Sequence, residues 1–158
     1  MLALAWPLLV ASGAARSADI ELLSGRSVTS HGRPTPIVAA EWLGKTRQWK
    51  GMTVQSDVGL TYVSARHHQQ SGDFSRGAAV AAVGVRFPEL PYHLFFSFQL
   101  GATAPETPAL SSTQQFVSSL GWSHDNYVIL VRHISNGSTR KPNLGETMLL
   151  VGADFKIR

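Results

Sequence analysis

The chain has 158 residues, 44% of them hydrophobic and only 15% charged, with 14 Gly, 8 Pro, no Cys and a formal net charge of +4. That length suits one domain, low charge with many small residues suits a protein whose apolar surface meets lipid, and no apolar run approaches the ~20 residues of a helical span. The basic residues are scattered through turns such as Gly44-Lys45-Thr46-Arg47-Gln48-Trp49-Lys50 and Thr139-Arg140-Lys141, with no basic helix or nucleic-acid motif, so an anionic lipid surface fits them at least as well as nucleic acid, which is not expected as a partner.

In chain order, MLALAWPLLVASGAARSA (1–18) has the apolar core and small-residue end of a secretory signal peptide, though its first residues carry no Lys or Arg. Cleavage after Ala15 or near Ala18 would leave 19–158 as the mature domain; a truncated start or a buried first strand is the alternative. From there period-two alternation recurs, with turn signals dividing the chain near 20–29, 36–43, 52–64, 77–87, 92–103, 114–123, 126–136 and 146–157. Tyr92, Leu94, Phe96, Phe98, Leu100 and Ala102 alternate with His93, Phe95, Ser97, Gln99 and Gly101. Eight segments near the ~9–11 residues of a tilted membrane strand predict an all-β fold, an eight-stranded antiparallel transmembrane β-barrel with both termini on one side.

A soluble eight-stranded barrel would bury the apolar row instead. Three features favour the membrane version. Asp57, Arg86, Gln99, Arg132, Asp154 and Lys156 fall on the alternate rows, where a narrow lumen could pair them. Trp42, Tyr62, Tyr92, Trp122, Tyr127 and Phe155 fall near segment ends, as an interfacial girdle requires. Polar loops at 31–35, 65–75, 104–112 and 137–145 alternate with tight turns at 88–91 and 123–125.

The stretch Val131-Arg132-His133-Ile134-Ser135-Asn136-Gly137 sets His133 and Ser135 two residues apart, hence on one face of a strand. Counting from Tyr127, both share the lipid-facing row with Ile129 and Val131, near the end of the seventh segment away from the termini. Headgroup contacts at a membrane interface would account for an arbitrary His-x-Ser there.

His133-Ile134-Ser135-Asn136-Gly137 followed by Arg140-Lys141-Pro142-Asn143-Leu144-Gly145-Glu146 resembles the signature of the lipid A 3-O-deacylases, outer-membrane barrels with a serine-hydrolase site on their lipid-facing wall. The likeness is close over 133–146; elsewhere it extends only to length, export signal and strand rhythm. It implies an outer-membrane esterase that removes the 3-O-linked acyl chain of lipid A, with lipopolysaccharide and the outer membrane as partners and no cofactor or metal; a homodimer is compatible with it. His133 would be the general base, Ser135 the nucleophile, Asn136 and the Gly137 N–H oxyanion donors, and Arg140 and Lys141 would hold substrate phosphates. In the family pattern one residue separates the glycine of P-N-x-G from a glutamate, which would fall at 147, where this chain has Thr. Its own glutamate is Glu146, which strand alternation sends toward the lumen; a bulge at the strand start would turn it to orient His133.

Adjacent His67-His68 with Asp73 lack the spacing of a metal site, and Asp125 beside His124 is expected to be solvated. The competing readings are a non-enzymatic small barrel serving as adhesin, channel or structural element, and an exported soluble carrier.

Overall fold

The computed structural model describes residues 18–29, 33–66 and 74–157. The signal-peptide segment through residue 17, His67-His68 and Asp73 lie outside the described residues.

Nine strands follow in order: β1 (Ala18–Ser27), β2 (Pro36–Leu43), β3 (Arg47–Trp49), β4 (Met52–Val63), β5 (Ala78–Leu90), β6 (Leu94–Ala104), β7 (Gln114–His124), β8 (Tyr127–Ser135) and β9 (Glu146–Ile157). All pairings are antiparallel. Sheet neighbours run β2-β1-β9-β8-β7-β6-β5-β4, and β2 also pairs with β4, so eight strands close into a barrel. The three-residue β3 lies outside the ring as a hairpin on β4. Three residues are too few to display alternation, and Arg47-Gln48-Trp49 reads in sequence as a basic turn. The segment expected to begin at Tyr92 begins instead at Leu94, since Tyr92 and His93 both take φ of 63° in the turn after β5.

The outward rows are mainly apolar, whereas the inward rows mix charged and polar side chains with apolar ones such as Leu23, Val80, Phe95, Leu130 and Leu150. Leu22, Val38, Val58, Leu60, Val83, Phe98, Leu100, Leu120, Ile129, Val131, Leu149 and Val151 are exposed on the outside. Glu21, Glu41, Asp57, Arg86, Gln99, Gln115, Arg132 and Glu146 are buried inside. Such a wall is stable where its outside is covered by an apolar phase, because an exposed apolar belt this continuous is unfavourable in water.

The lumen is filled rather than open. Arg86 forms a fork with Glu21 at 2.5 and 2.7 Å and lies 4.1 Å over the ring of Phe95. Arg132, 1% exposed, reaches Glu41 at 2.5 Å, Thr61 Oγ1 at 2.8 Å and Ser119 Oγ at 3.0 Å. Nearer the loop end, Arg66 donates to both oxygens of Glu146 at 2.9 and 2.8 Å. Buried charges persist only when paired and hydrogen-bonded, and these three guanidiniums meet that requirement from opposite walls. Gly59 admits the Glu41 carboxylate, which would overlap a Cβ added there.

At the end away from the termini, the loop between β6 and β7 turns inward. Ala109 and Leu110 are buried, and Thr107 and Leu110 exchange hydrogen bonds through Leu110 N–H to Thr107 Oγ1 and Thr107 N–H to Leu110 O, both 3.0 Å. The loop thereby caps the lumen and supplies the floor on which the segment after β8 rests.

Candidate active site on the outer wall

In β8, Val128, Leu130, Arg132 and Ile134 are buried, while Tyr127, Ile129, Val131 and His133 are exposed; Ser135 at the strand end is partly covered. His133 and Ser135 therefore share the outward row. Across the sheet His133 faces Ser118 of β7 and Thr147 of β9, and Ser135 faces Phe116, which stacks on Phe98 at 6.1 Å. The serine thus borders an aromatic surface on one side and the imidazole's row on the other.

Thr147 sets the orientation of the imidazole. Its Oγ1 is 2.9 Å from His133 Nδ1. When the hydroxyl accepts from Nδ1–H, the free lone pair lies on Nε2, the tautomer a base needs. Gly145 fixes the other edge of the ring: it takes φ of +68°, and a Cβ there would stand 2.8 Å from His133 Cε1 and 3.2 Å from Nε2. Ile134 and Glu146 form the last pair of the β8–β9 ladder, and the next residues along the two strands are Ser135 and Gly145. Among the described residues the imidazole's hydrogen bond goes to Thr147 and none joins it to Ser135, with which it shares the outward row. Gly145→Ala is expected to push the ring from this position and lower any turnover that uses it about a hundredfold with the barrel still folded, because misplacing a catalytic group by ~1 Å has that order of effect; kinetics alongside heat-dependent gel migration check it.

Glu146 does not meet His133. The register runs without a bulge through His133↔Thr147 and Ile134↔Glu146, so Glu146 points to the lumen, fully buried on Arg66. The expected turn toward His133 is absent for a physical reason: a buried bidentate guanidinium holds the carboxylate inside. Glu106, in the neighbouring loop, is bound to Arg140 at 3.1 Å and to Thr113 Oγ1 at 3.0 Å. Among the described residues no carboxylate is bonded to His133. Thr147 is the partner that strand alternation should have supplied, since the residue opposite His133 must share its face.

Asn136 also differs from expectation. It is buried, and its amide donates to Ser111 Oγ at 3.1 Å and to Arg140 O at 2.7 Å, while its backbone N–H donates to Asn143 Oδ1 at 3.2 Å. The side chain braces the loop and has no free N–H for an oxyanion. Gly137 takes φ of +62° against the Phe116 ring, and its N–H has no acceptor among the described residues. Gly145 N–H donates to Ala109 O at 3.0 Å, and Ser111 Oγ donates to Arg140 O at 3.2 Å, so the two loops form one unit. Ser111 carries no mark in the sequence, and the signal for Ala109 is the apolar Ala109-Leu110 pair inside a polar loop.

No family model, curated protein or solved structure matches this chain.

Arg140 and Lys141 are exposed at the rim beside a cleft of about 340 Å³, with Arg140 shared by Glu106. Among the described residues, no group of three His, Cys, Asp or Glu is placed to hold a metal.

Proposed function

We propose that this protein is an outer-membrane esterase that hydrolyses the 3-O-linked acyl chain of lipid A, using Ser135 as nucleophile and His133 as base on the lipid-facing wall. The observation that carries the reading is the coincidence of an outward-facing His–Ser row with a ring whose Nδ1 is held by Thr147 and whose Nε2 edge abuts Gly145. Lipid A presents ester carbonyls at the boundary between sugar and acyl chain, and a nucleophile near the rim of the outer wall meets them by lateral diffusion.

In this mechanism His133 Nε2 takes the Ser135 proton as Oγ attacks the ester carbonyl. The collapsing tetrahedral intermediate expels the sugar hydroxyl, which receives the proton from His133. Water, deprotonated by the same imidazole, then releases the fatty acid from Ser135. The Gly137 N–H is the available oxyanion donor, and a donor of this kind is worth about 3–4 kcal/mol. Lys141 offers a cation to a sugar phosphate, with Arg140 as a second one drawn partly to Glu106.

Thr147 orients the ring but lacks the charge that would stabilise the imidazolium formed during attack. Thr147→Ala is therefore expected to lower kcat about tenfold or more by releasing the ring. Thr147→Glu should raise kcat above that of the unaltered chain. A Thr147→Ala enzyme with unchanged kcat would show that the hydroxyl has no orienting role.

The decisive experiment is reconstitution of the folded barrel with lipopolysaccharide in the presence of EDTA, followed by mass analysis of the lipid A. The expected product is lighter by one 3-hydroxyacyl chain, with the free fatty acid recovered. Unaltered lipid A would leave the second reading, a non-enzymatic barrel, which the lack of a carboxylate at His133 favours. For that reading a channel is the weakest form, because Arg132, Phe95 and Gln99 fill the lumen.

A further inference from the structure

The chain between β2 and β4 is more than a turn. β3 pairs as Arg47↔Val54, Gln48↔Thr53 and Trp49↔Met52, extending one wall of the barrel at the terminus end. Met52 and Val54 continue the outward row of Ser56, Val58, Leu60 and Tyr62, so their partners Trp49 and Arg47 lie on the same face. Trp49 and Met52 are exposed there, and Lys50 Nζ sits 5.2 Å over the Trp49 ring. Lys45, Arg47 and Lys50 are all exposed, and none has an acidic partner among the described residues. This contrasts with Arg140 at the opposite rim, which Glu106 partly neutralises.

Beside the hairpin the outer wall is concave. A hollow of about 380 Å³ is lined by Met52, Phe87, Leu90 and Phe96, with Thr53 and Glu89 at its edge. Phe87 and Phe96 stack at 6.5 Å along it. Glu89 is the acid at this site, and its carboxylate is engaged by the Thr53 hydroxyl, which accepts in turn from Gln48 Nε2 at 2.8 Å. Apolar hollow, exposed tryptophan and cations without an acidic partner thus adjoin at one end of the outer wall.

We infer that the β3–β4 hairpin and this hollow bind an anionic glycerophospholipid of the leaflet on the terminus side, with an acyl chain in the hollow and the phosphate at Arg47 and Lys50. The inference rests on the barrel spanning a membrane, and not on its being an esterase. Charge decides between headgroups: a zwitterionic lipid would bring its own ammonium among three cations, whereas an anionic one brings only the counter-charge. Trp49 is exposed at the end of the barrel wall, and indole rings of membrane barrels favour the interface.

The test uses the full chain folded into bilayers containing phosphatidylglycerol or phosphatidylcholine with brominated acyl chains, which quench nearby tryptophan. The Trp49 contribution is taken as the difference from Trp49→Phe, and Trp42 and Trp122 on the outer wall serve as internal controls. In mixed bilayers the Trp49 component should report about a fivefold preference for phosphatidylglycerol. Arg47→Gln with Lys50→Gln should abolish that preference, and added inorganic phosphate should leave it intact. Equal quenching by both lipids, an unchanged preference in the double variant, or its loss to inorganic phosphate overturns the inference while Trp42 and Trp122 remain quenched. If no tryptophan is quenched by either lipid, the barrel is not in the bilayer, and the membrane reading falls together with the inference.

Discussion

With the proposed esterase mechanism, Ser135→Ala and His133→Ala are each expected to reduce lipid A deacylation by about 10³-fold or more, since a nucleophile and its base act as a unit and either loss disables both. Neither side chain fills the lumen, so both variants should keep the folded barrel's heat-dependent gel migration and its resistance to denaturant. The double variant should be no worse than the worse single one, which separates a shared chemical step from two independent binding contributions. Near-unaltered turnover in either variant, measured by release of the 3-hydroxy fatty acid, would remove this pair from the chemistry. A loss that followed the fraction unfolded would do the same.

Glu146→Ala should fail in a different way. Its carboxylate is fully buried and forked on Arg66, with Ser27 Oγ also 3.3 Å from that guanidinium. Deleting it takes the bidentate counter-charge from a buried cation, a change that costs about 3–5 kcal/mol when a buried pair is broken from one side. Unfolding in guanidinium should show that loss. Turnover per folded molecule should fall only as far as the β9 start shifts Thr147. Replacing Arg66 and Glu146 together by Met should recover part of the stability, because neither member of this pair is then left buried without the other. A Glu146→Ala variant as stable as the parent, yet inactive, would instead mark Glu146 as the residue that acts on His133.

The barrel was readable from sequence because its signal is repeated on every strand. Strand boundaries fell within a few residues of those observed, as with 52–64 against Met52–Val63 and 146–157 against Glu146–Ile157. The lumen positions of Asp57, Arg86, Gln99 and Arg132 followed from parity alone. Partners across the lumen did not, since Arg132 meeting Glu41 and Thr61 depends on barrel closure and shear. The outward sharing of His133 and Ser135 was equally a matter of parity, and parity had already sent Glu146 inward. Supposing a bulge to rescue a carboxylate set chemical expectation above local geometry, and the uninterrupted β8–β9 ladder shows which prevails. Asn136 escaped correct assignment because its bonds go to Ser111 and Arg140, one of them in a loop 25 residues away in sequence.

The cross-lumen ion pairs have a mechanical consequence. Arg86 ties β5 to β1, Arg132 ties β8 to β2 and β4, and Arg66 ties the end of β4 to β9, so the struts span the ring in several directions at different heights. A thin-walled tube flattens into an ellipse by shortening one diameter and lengthening another, and struts across several diameters oppose every such mode. Lateral pressure on the wall, such as a bilayer around it would exert, should then be borne by the interior, leaving the curvature of the β8–β9 wall nearly constant. Outward positions can consequently be exchanged to suit a different lipid while the skeleton beneath keeps its shape.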